Sequence, residues 1–231
     1  MWIDDDSSFV SFSPSPGGAR PGRKVGRVSW SPEALERAES LIARYPQRRS
    51  AVMPLLYIAM REEGYLTEDG MRQVAELTGL TPMQVDSVAS FYGMFKKIPQ
   101  GRYLVSVCTS ISCMLLGADD VMRSGEDEVG VPVGETDAEG IVSVEHVECI
   151  GACGGAPAVQ VNYELVEGMT PESVVEMVRW LRETKPDVVR ADELQERFGG
   201  TRSFDPGILE AQGAIGPYPA FDPYGTTGGG S

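Results

Sequence analysis

The sequence predicts an α+β protein, an N-terminal helical bundle followed by an α/β sandwich domain. Three observations lead to that reading. Between Ser31 and Phe95, apolar residues recur at helical spacing, broken only by capping residues, Gly and Pro. From Gly101 onward the period shifts to two in YLVSVC and IVSVEHVEC, with helical stretches around them. All four cysteines lie in that second region, in two local pairs. The chain then divides into a mobile arm over 1–29, a helical bundle over 30–98, an α/β domain carrying the cysteines over 99–186, and a Pro/Gly-rich arm over 187–231.

Residues 1–29 are rich in Ser, Pro and Gly and have no sustained period, the composition of a segment that orders on a partner. Arg20, Arg23, Lys24 and Arg27 form a small basic cluster there. Asp4, Asp5 and Asp6 argue against a mitochondrial transit peptide, because such peptides avoid acids. The bundle opens at Ser31-Pro32, an N-cap and first helical position, and Pro46 stops this first helix. In RSAVMPLLYIAMREEG, Pro54 falls near the first turn, where a missing N–H does little harm, and Gly64 is placed as the C-cap. Thr67 opens a third helix that closes at Gly79. Thr81 and Gln84 have capping-box spacing at the head of TPMQVDSVASFYGMF, read as a fourth helix. Met53, Leu55, Leu56, Ile58, Ala59, Met60, Phe91, Tyr92 and Phe95 are expected to form the bundle core. This region holds no His or Cys, so docking is its expected work.

In the second region, YLVSVC reads as a strand ending at Cys108, and MLLGADDVMRS after Cys113 as a helix with its N-terminal N–H groups facing the thiols. IVSVEHVEC is a second strand and AVQVNYEL a third. Thr170-Pro171 starts a helix that Pro186 ends, and DELQERFGG can form a short one. Beyond it, Phe204, Ile208, Leu209, Tyr218, Phe221 and Tyr224 punctuate a Pro/Gly-rich tail, a pattern expected of an arm laid over a neighbouring protein, with a merely flexible tail as the alternative.

Four residues separate Cys108 from Cys113, three separate Cys149 from Cys153, and 35 lie between the pairs. Such pairs on two loops predict one site assembled by folding. A 2Fe–2S cluster takes four thiolates, two per iron. Structural zinc takes four on one tetrahedral ion. Two disulfides belong to small secreted domains and fit this chain least, and unrelated buried thiols remain a further reading. The small residues Gly151, Ala152, Gly154, Gly155 and Ala156 favour the cluster, since a compact loop brings backbone N–H groups close to sulfides. No C-x-x-C redox pair is present, and His146, the lone histidine, cannot supply the two imidazoles of a Rieske centre.

The C-x4-C of CTSISC, the C-x3-C of CIGACGGAP, and the helical stretches RSAVMPLLYIAMREEGYLT and VASFYGMF together resemble one family. It is the thioredoxin-like 2Fe–2S ferredoxins, which include the E subunit of bacterial NADH-quinone oxidoreductase, respiratory complex I. The likeness covers roughly residues 30 to 185. It implies a thioredoxin-like fold for 99–186, often with a cis proline where Pro157 stands. It implies one 2Fe–2S cluster on Cys108, Cys113, Cys149 and Cys153, exchanging single electrons with the FMN of a partner subunit that oxidises NADH. The bundle would pack against that flavin- and NADH-binding subunit, and the terminal arms could reach other peripheral-arm subunits. An equivalent diaphorase subunit of an NAD-linked hydrogenase or formate dehydrogenase has a similar sequence. A zinc-stabilised interaction module is the reading outside redox chemistry.

Composition narrows the rest. With 20 basic and 34 acidic residues the net charge is −14, which argues against a nucleic-acid partner. No apolar run reaches the ~18 residues of a membrane span, so no direct membrane insertion is expected. The expected location is cytoplasmic, peripheral on the inner face of the plasma membrane. The chain lacks a G-x-G-x-x-G signature, so it is not expected to bind NADH or to be catalytic alone.

Overall fold

The computed structural model describes residues 30–203, and the readings made for both terminal arms beyond these limits lie outside the described residues. Four helices come first: α1 (Pro32–Ile42), α2 (Val52–Glu63), α3 (Glu68–Thr78) and α4 (Pro82–Phe91). Their ends follow the sequence signals. The Ser31 hydroxyl accepts from the Ala34 N–H, Thr67 from Gly70, and Thr81 with Gln84 forms a reciprocal capping box. Gly64 and Gly79 close α2 and α3 in the left-handed conformation. Trp30, Leu41, Leu55, Leu56, Met60, Val74 and Phe95 are buried together as the first core.

Two expectations for this region need correction. Helix α4 stops at Phe91 and not at Phe95, because Tyr92 turns extended (φ −98°, ψ 114°) and the chain then folds back through Gly93. Phe91, still inside α4, lies about 200° around the helix from the buried Ala89 and is 79% exposed, against the core position expected for it. Phe95 is buried and packs its ring 5.1 Å from Tyr57, while Tyr92 and Met53 are half-buried.

The second region is a four-stranded sheet in the order β2-β1-β3-β4, built from β1 (Tyr103–Cys108), β2 (Val142–Val147), β3 (Val159–Val161) and β4 (Glu164–Val166). Strands β1 and β2 are parallel, and β3 is antiparallel to both β1 and β4. AVQVNYEL is therefore a hairpin and not one strand. Asn162 and Tyr163 both have positive φ (51° and 72°), the geometry of a two-residue type I′ turn. A short helix, α5 (Ile111–Leu115), follows β1. Helices α6 (Ala118–Val129) and α7 (Pro171–Thr184) lie against the sheet and each other, joined by the Arg182 guanidinium. It donates to the last carbonyls of α6, Glu128 and Val129, at 2.8 Å each, and pairs with Asp137 at 3.1 Å. Helix α8 (Ala191–Phe198) adds Leu194 to a second core with Val105, Val144, Val159, Met177 and Leu181.

A short connection joins the two cores. Lys96, just past Phe95, reaches Glu145 on β2 at 2.6 Å, and the second oxygen of Glu145 accepts from Ser106 on β1 at 2.8 Å. No helix among the described residues is long and apolar enough to cross a membrane.

Candidate metal centre

The cysteines sit where the parallel strands end. Cys108 is the last residue of β1, and Cys149 follows two residues after β2. Side chains at strand ends are held by the sheet yet reach into loops, the usual place for a site on such a scaffold. Cys113 lies inside the five-residue α5 and not ahead of a long helix. Gly117 breaks the expected helix by turning left-handed (φ 99°), and α6 starts only at Ala118. The N-terminus of the long helix is thus four residues from the position expected for it. Cys153 opens a single 3-10 turn with Gly154 and Gly155, followed by a cis Ala156–Pro157 bond at the position where the family resemblance implies one.

The two cysteine loops interlock. The Ile150 N–H, next to Cys149, hydrogen-bonds the Cys108 sulfur, and the Ala158 N–H bonds Cys113. In return the Cys108 N–H donates to the Ala158 carbonyl at 3.0 Å. Burial alone would push the Cys108 thiol up. The Ile150 and Ser110 amides, with the Cys113 and Ser110 side chains, outweigh it and hold Cys108 below the ordinary thiol value. Cys113 is pushed up to about 11, by burial first and then by the neighbouring Cys108 and Cys153 sulfurs, against the Ala158 amide. One thiol held low by donors beside a second pushed high is the pattern of closely grouped sulfurs.

All four thiols are free. Cys149 and Cys153 have their sulfurs 3.9 Å apart, far beyond a disulfide bond of ~2.05 Å. Two thiolates bound at ~2.3 Å to one tetrahedral metal would stand ~3.8 Å apart, so this pair has the spacing of a shared ion. Among the described residues, no three His, Cys, Asp or Glu side chains gather around a single point. Cys149 lies against Cys153, and Cys108 against Cys113.

Burial differs between the pairs. Cys108 and Cys113 are buried, whereas Cys149 and Cys153 are exposed. In α5 and just after it, around Cys113 in the sequence, Ile111, Met114, Leu115 and Leu116 expose 45 to 75% of their surface. Four large apolar side chains on one turn form a patch of the kind that partners cover. His146 is exposed on β2 and takes no part in the sulfur contacts. The donors Ile150, Ala158 and Ser110 carry no mark in the sequence. Backbone amides leave no residue signature, although the small residues around Cys153 announce a close approach.

The profile of the thioredoxin-like [2Fe-2S] ferredoxins matches residues 38–182. The chain belongs to that family. Relatives of this thioredoxin-like ferredoxin include the E subunit of the NADH-quinone oxidoreductase of Mycobacterium tuberculosis, 43% identical over 162 residues. The match covers 68% of this chain and 64% of the mycobacterial one, so the chain spans just under two thirds of that relative. NADH-quinone oxidoreductase subunit 2 of Thermus thermophilus is 39% identical over 150 residues, covering 64% of this chain and 83% of its own. Among solved structures, a chain of an NAD+-reducing [NiFe]-hydrogenase superposes with a TM-score of 0.52 at 19% identity. That match covers 64% of this ferredoxin and 25% of the hydrogenase chain, and establishes the shared fold alone.

Proposed function

We propose that this ferredoxin is an electron-transfer subunit of an NADH-quinone oxidoreductase, with one 2Fe–2S cluster on Cys108, Cys113, Cys149 and Cys153. The observation that carries the reading is that folding brings the two cysteine loops together, with the Cys108 N–H donating to the Ala158 carbonyl at 3.0 Å and the Cys149 and Cys153 sulfurs 3.9 Å apart. When bound, such a cluster supplies one-electron redox chemistry. The chain's own residues hold it and set its surroundings. Amide donors to the Cys108 and Cys113 sulfurs offset part of the anionic charge of a four-thiolate site. Cys149 and Cys153, at the surface, give the site a short path to a partner.

The partner in this reading is the flavin- and NADH-binding subunit of the complex, which holds FMN and oxidises NADH. The apolar turn Ile111–Leu116, which carries Cys113, offers it a docking face, and the bundle adds Phe91 and Met83, each 79% exposed. The chain is not catalytic alone, and it works in the cytoplasm, bound peripherally to the inner face of the plasma membrane through its complex. The names and identities of the relatives above support this reading.

The test is iron and sulfide analysis of the purified full-length chain with EPR of the dithionite-reduced protein. About two irons per chain and a reduced-state signal support the proposal. One zinc and no colour would replace it with a structural zinc site. Affinity purification from the native host reports the assembly, and recovery of hydrogenase or formate dehydrogenase subunits in place of quinone-reducing ones would reassign the partner.

A further inference from the structure

We infer that Glu167, Gln195 and Ser203 form a brace that holds the Cys153 turn in the geometry its thiolate needs, with Glu167 as the positioning residue. The inference rests on the cluster reading given above. Glu167 follows directly after β4 and is only 5% exposed, although nothing in the sulfur contacts uses it. Its Oε1 accepts from both the backbone N–H (3.0 Å) and the hydroxyl of Ser203. Gln195 on α8 secures the same residue from behind. Its side-chain oxygen accepts the Glu167 N–H at 2.8 Å, and its amide nitrogen donates to the Glu167 carbonyl at 3.1 Å. The Glu167 carbonyl also accepts the Gly200 N–H at 2.8 Å, so 200–203 is tied down as a strap.

That strap and Glu167 press on the cysteine turn from two sides. A Cβ placed on Gly154 would sit 2.7 Å from the Ser203 Cβ, and one on Gly155 would sit 2.7 Å from the Glu167 Cβ. Both distances are below any normal contact, so glycine is required there by the brace. The Gly155 carbonyl accepts the Gly168 N–H at 2.6 Å, which fixes the end of the turn to the residue after Glu167. A cleft of about 320 Å³ lies alongside, lined by Ile150, Gly151, Glu167, Gln195, Arg202 and Ser203. Cys153 is an exposed ligand on a three-residue turn with no side-chain cap of its own. Its position therefore depends on what lies behind it, a support of the kind that orients ligands in metal sites.

The experiment compares full-length wild type with Glu167→Gln, Glu167→Ala, Gln195→Ala and Ser203→Ala. Hydrogen exchange across residues 150–156 is measured with and without iron, and the reduced EPR line shape and the rate of iron loss to a chelator are measured on loaded protein. Losing the bonds to Glu167 should raise exchange at Gly154 and Gly155 by about tenfold in Glu167→Ala and Gln195→Ala. Both should broaden the EPR line and speed iron loss, which a role confined to global stability would leave alone. Glu167→Gln keeps an oxygen for Ser203 and should stay within about twofold of wild type. Unchanged exchange and line shape in the variants would overturn the brace, as would Glu167→Gln behaving like Glu167→Ala. If Glu167→Ala does not fold, Ser203→Ala, which removes one bond, decides on the same readouts. A wild-type chain without iron would sink the cluster reading instead, while the exchange measured without iron still decides the brace.

Discussion

Breaking the Lys96–Glu145 pair should loosen the connection between the bundle and the sheet, and its cost can be worked from the contacts. The pair is short, 2.6 Å, and its side chains are only 12% and 17% exposed. Removing one partner of a fully buried pair costs roughly 3–5 kcal/mol, and an exposed pair is worth at most about 1 kcal/mol. Glu145 keeps Ser106 after Lys96 is lost, so Lys96→Met should cost about 2–3 kcal/mol. Glu145→Gln retains an oxygen for Lys96 and should cost about 1–2 kcal/mol. In the double variant neither charge is stranded, and the loss should be about 1 kcal/mol, leaving a coupling of about 2–4 kcal/mol. Urea unfolding supplies the cycle. Trp30 reports the first core and Trp180 packs against the second, so both transitions are visible in fluorescence. A coupling below about 0.5 kcal/mol would refute the argument and make the pair an ordinary surface contact.

Further outcomes follow from other sites. Cys149→Ser should lower iron from about two per chain to well under one, read by metal analysis on the purified protein. Gly168→Ala should destabilise by about 2–4 kcal/mol in urea, because φ is +68° there and the new Cβ would meet the Thr201 nitrogen at 2.5 Å. Arg182→Met strands the end carbonyls of α6 and should cost about 2 kcal/mol, while Asp137 keeps its bond from the Ile141 N–H. The Glu164 carboxyl is held above its ordinary value, by burial first and by Asp192, against the Ala191 N–H. The folded state then binds the proton more tightly than the unfolded one, so stability falls as pH rises from the unfolded toward the folded pKa. Glu164→Gln should therefore gain stability at neutral pH, and the gain should vanish in acid below both values. A gain that persists at low pH would contradict the sign.

Much of this fold was legible because its boundaries are made by local chemistry. Ser31, Thr67, Thr81 and Thr170 each cap the helix that follows, and their partners lie three residues away in the sequence. The four cysteines were equally plain, since spacing alone paired them. What the sequence hid was set by backbone conformation and long-range packing. In MLLGADDV the apolar spacing runs straight through Gly117, and that single glycine is the one local mark of the break that turns Leu115 and Leu116 outward. The Asn162–Tyr163 turn was obscure because Tyr gives no cue for positive φ, where an Asn-Gly pair would have. Glu167 and Ser203 are 36 residues apart, and only the adjacent glycines Gly154 and Gly155 hinted that something presses there.

The two cores draw on consecutive stretches of the chain, Trp30 to Phe95 and then Tyr103 to Leu194. During synthesis at about 5–20 residues per second, the helical half can complete its packing before the last ligand, Cys153, has left the ribosome. In the proposed reading, iron loading falls to a nascent or newly released sheet already tethered to a finished bundle, so metal starvation should leave a half-ordered protein and not an unfolded one.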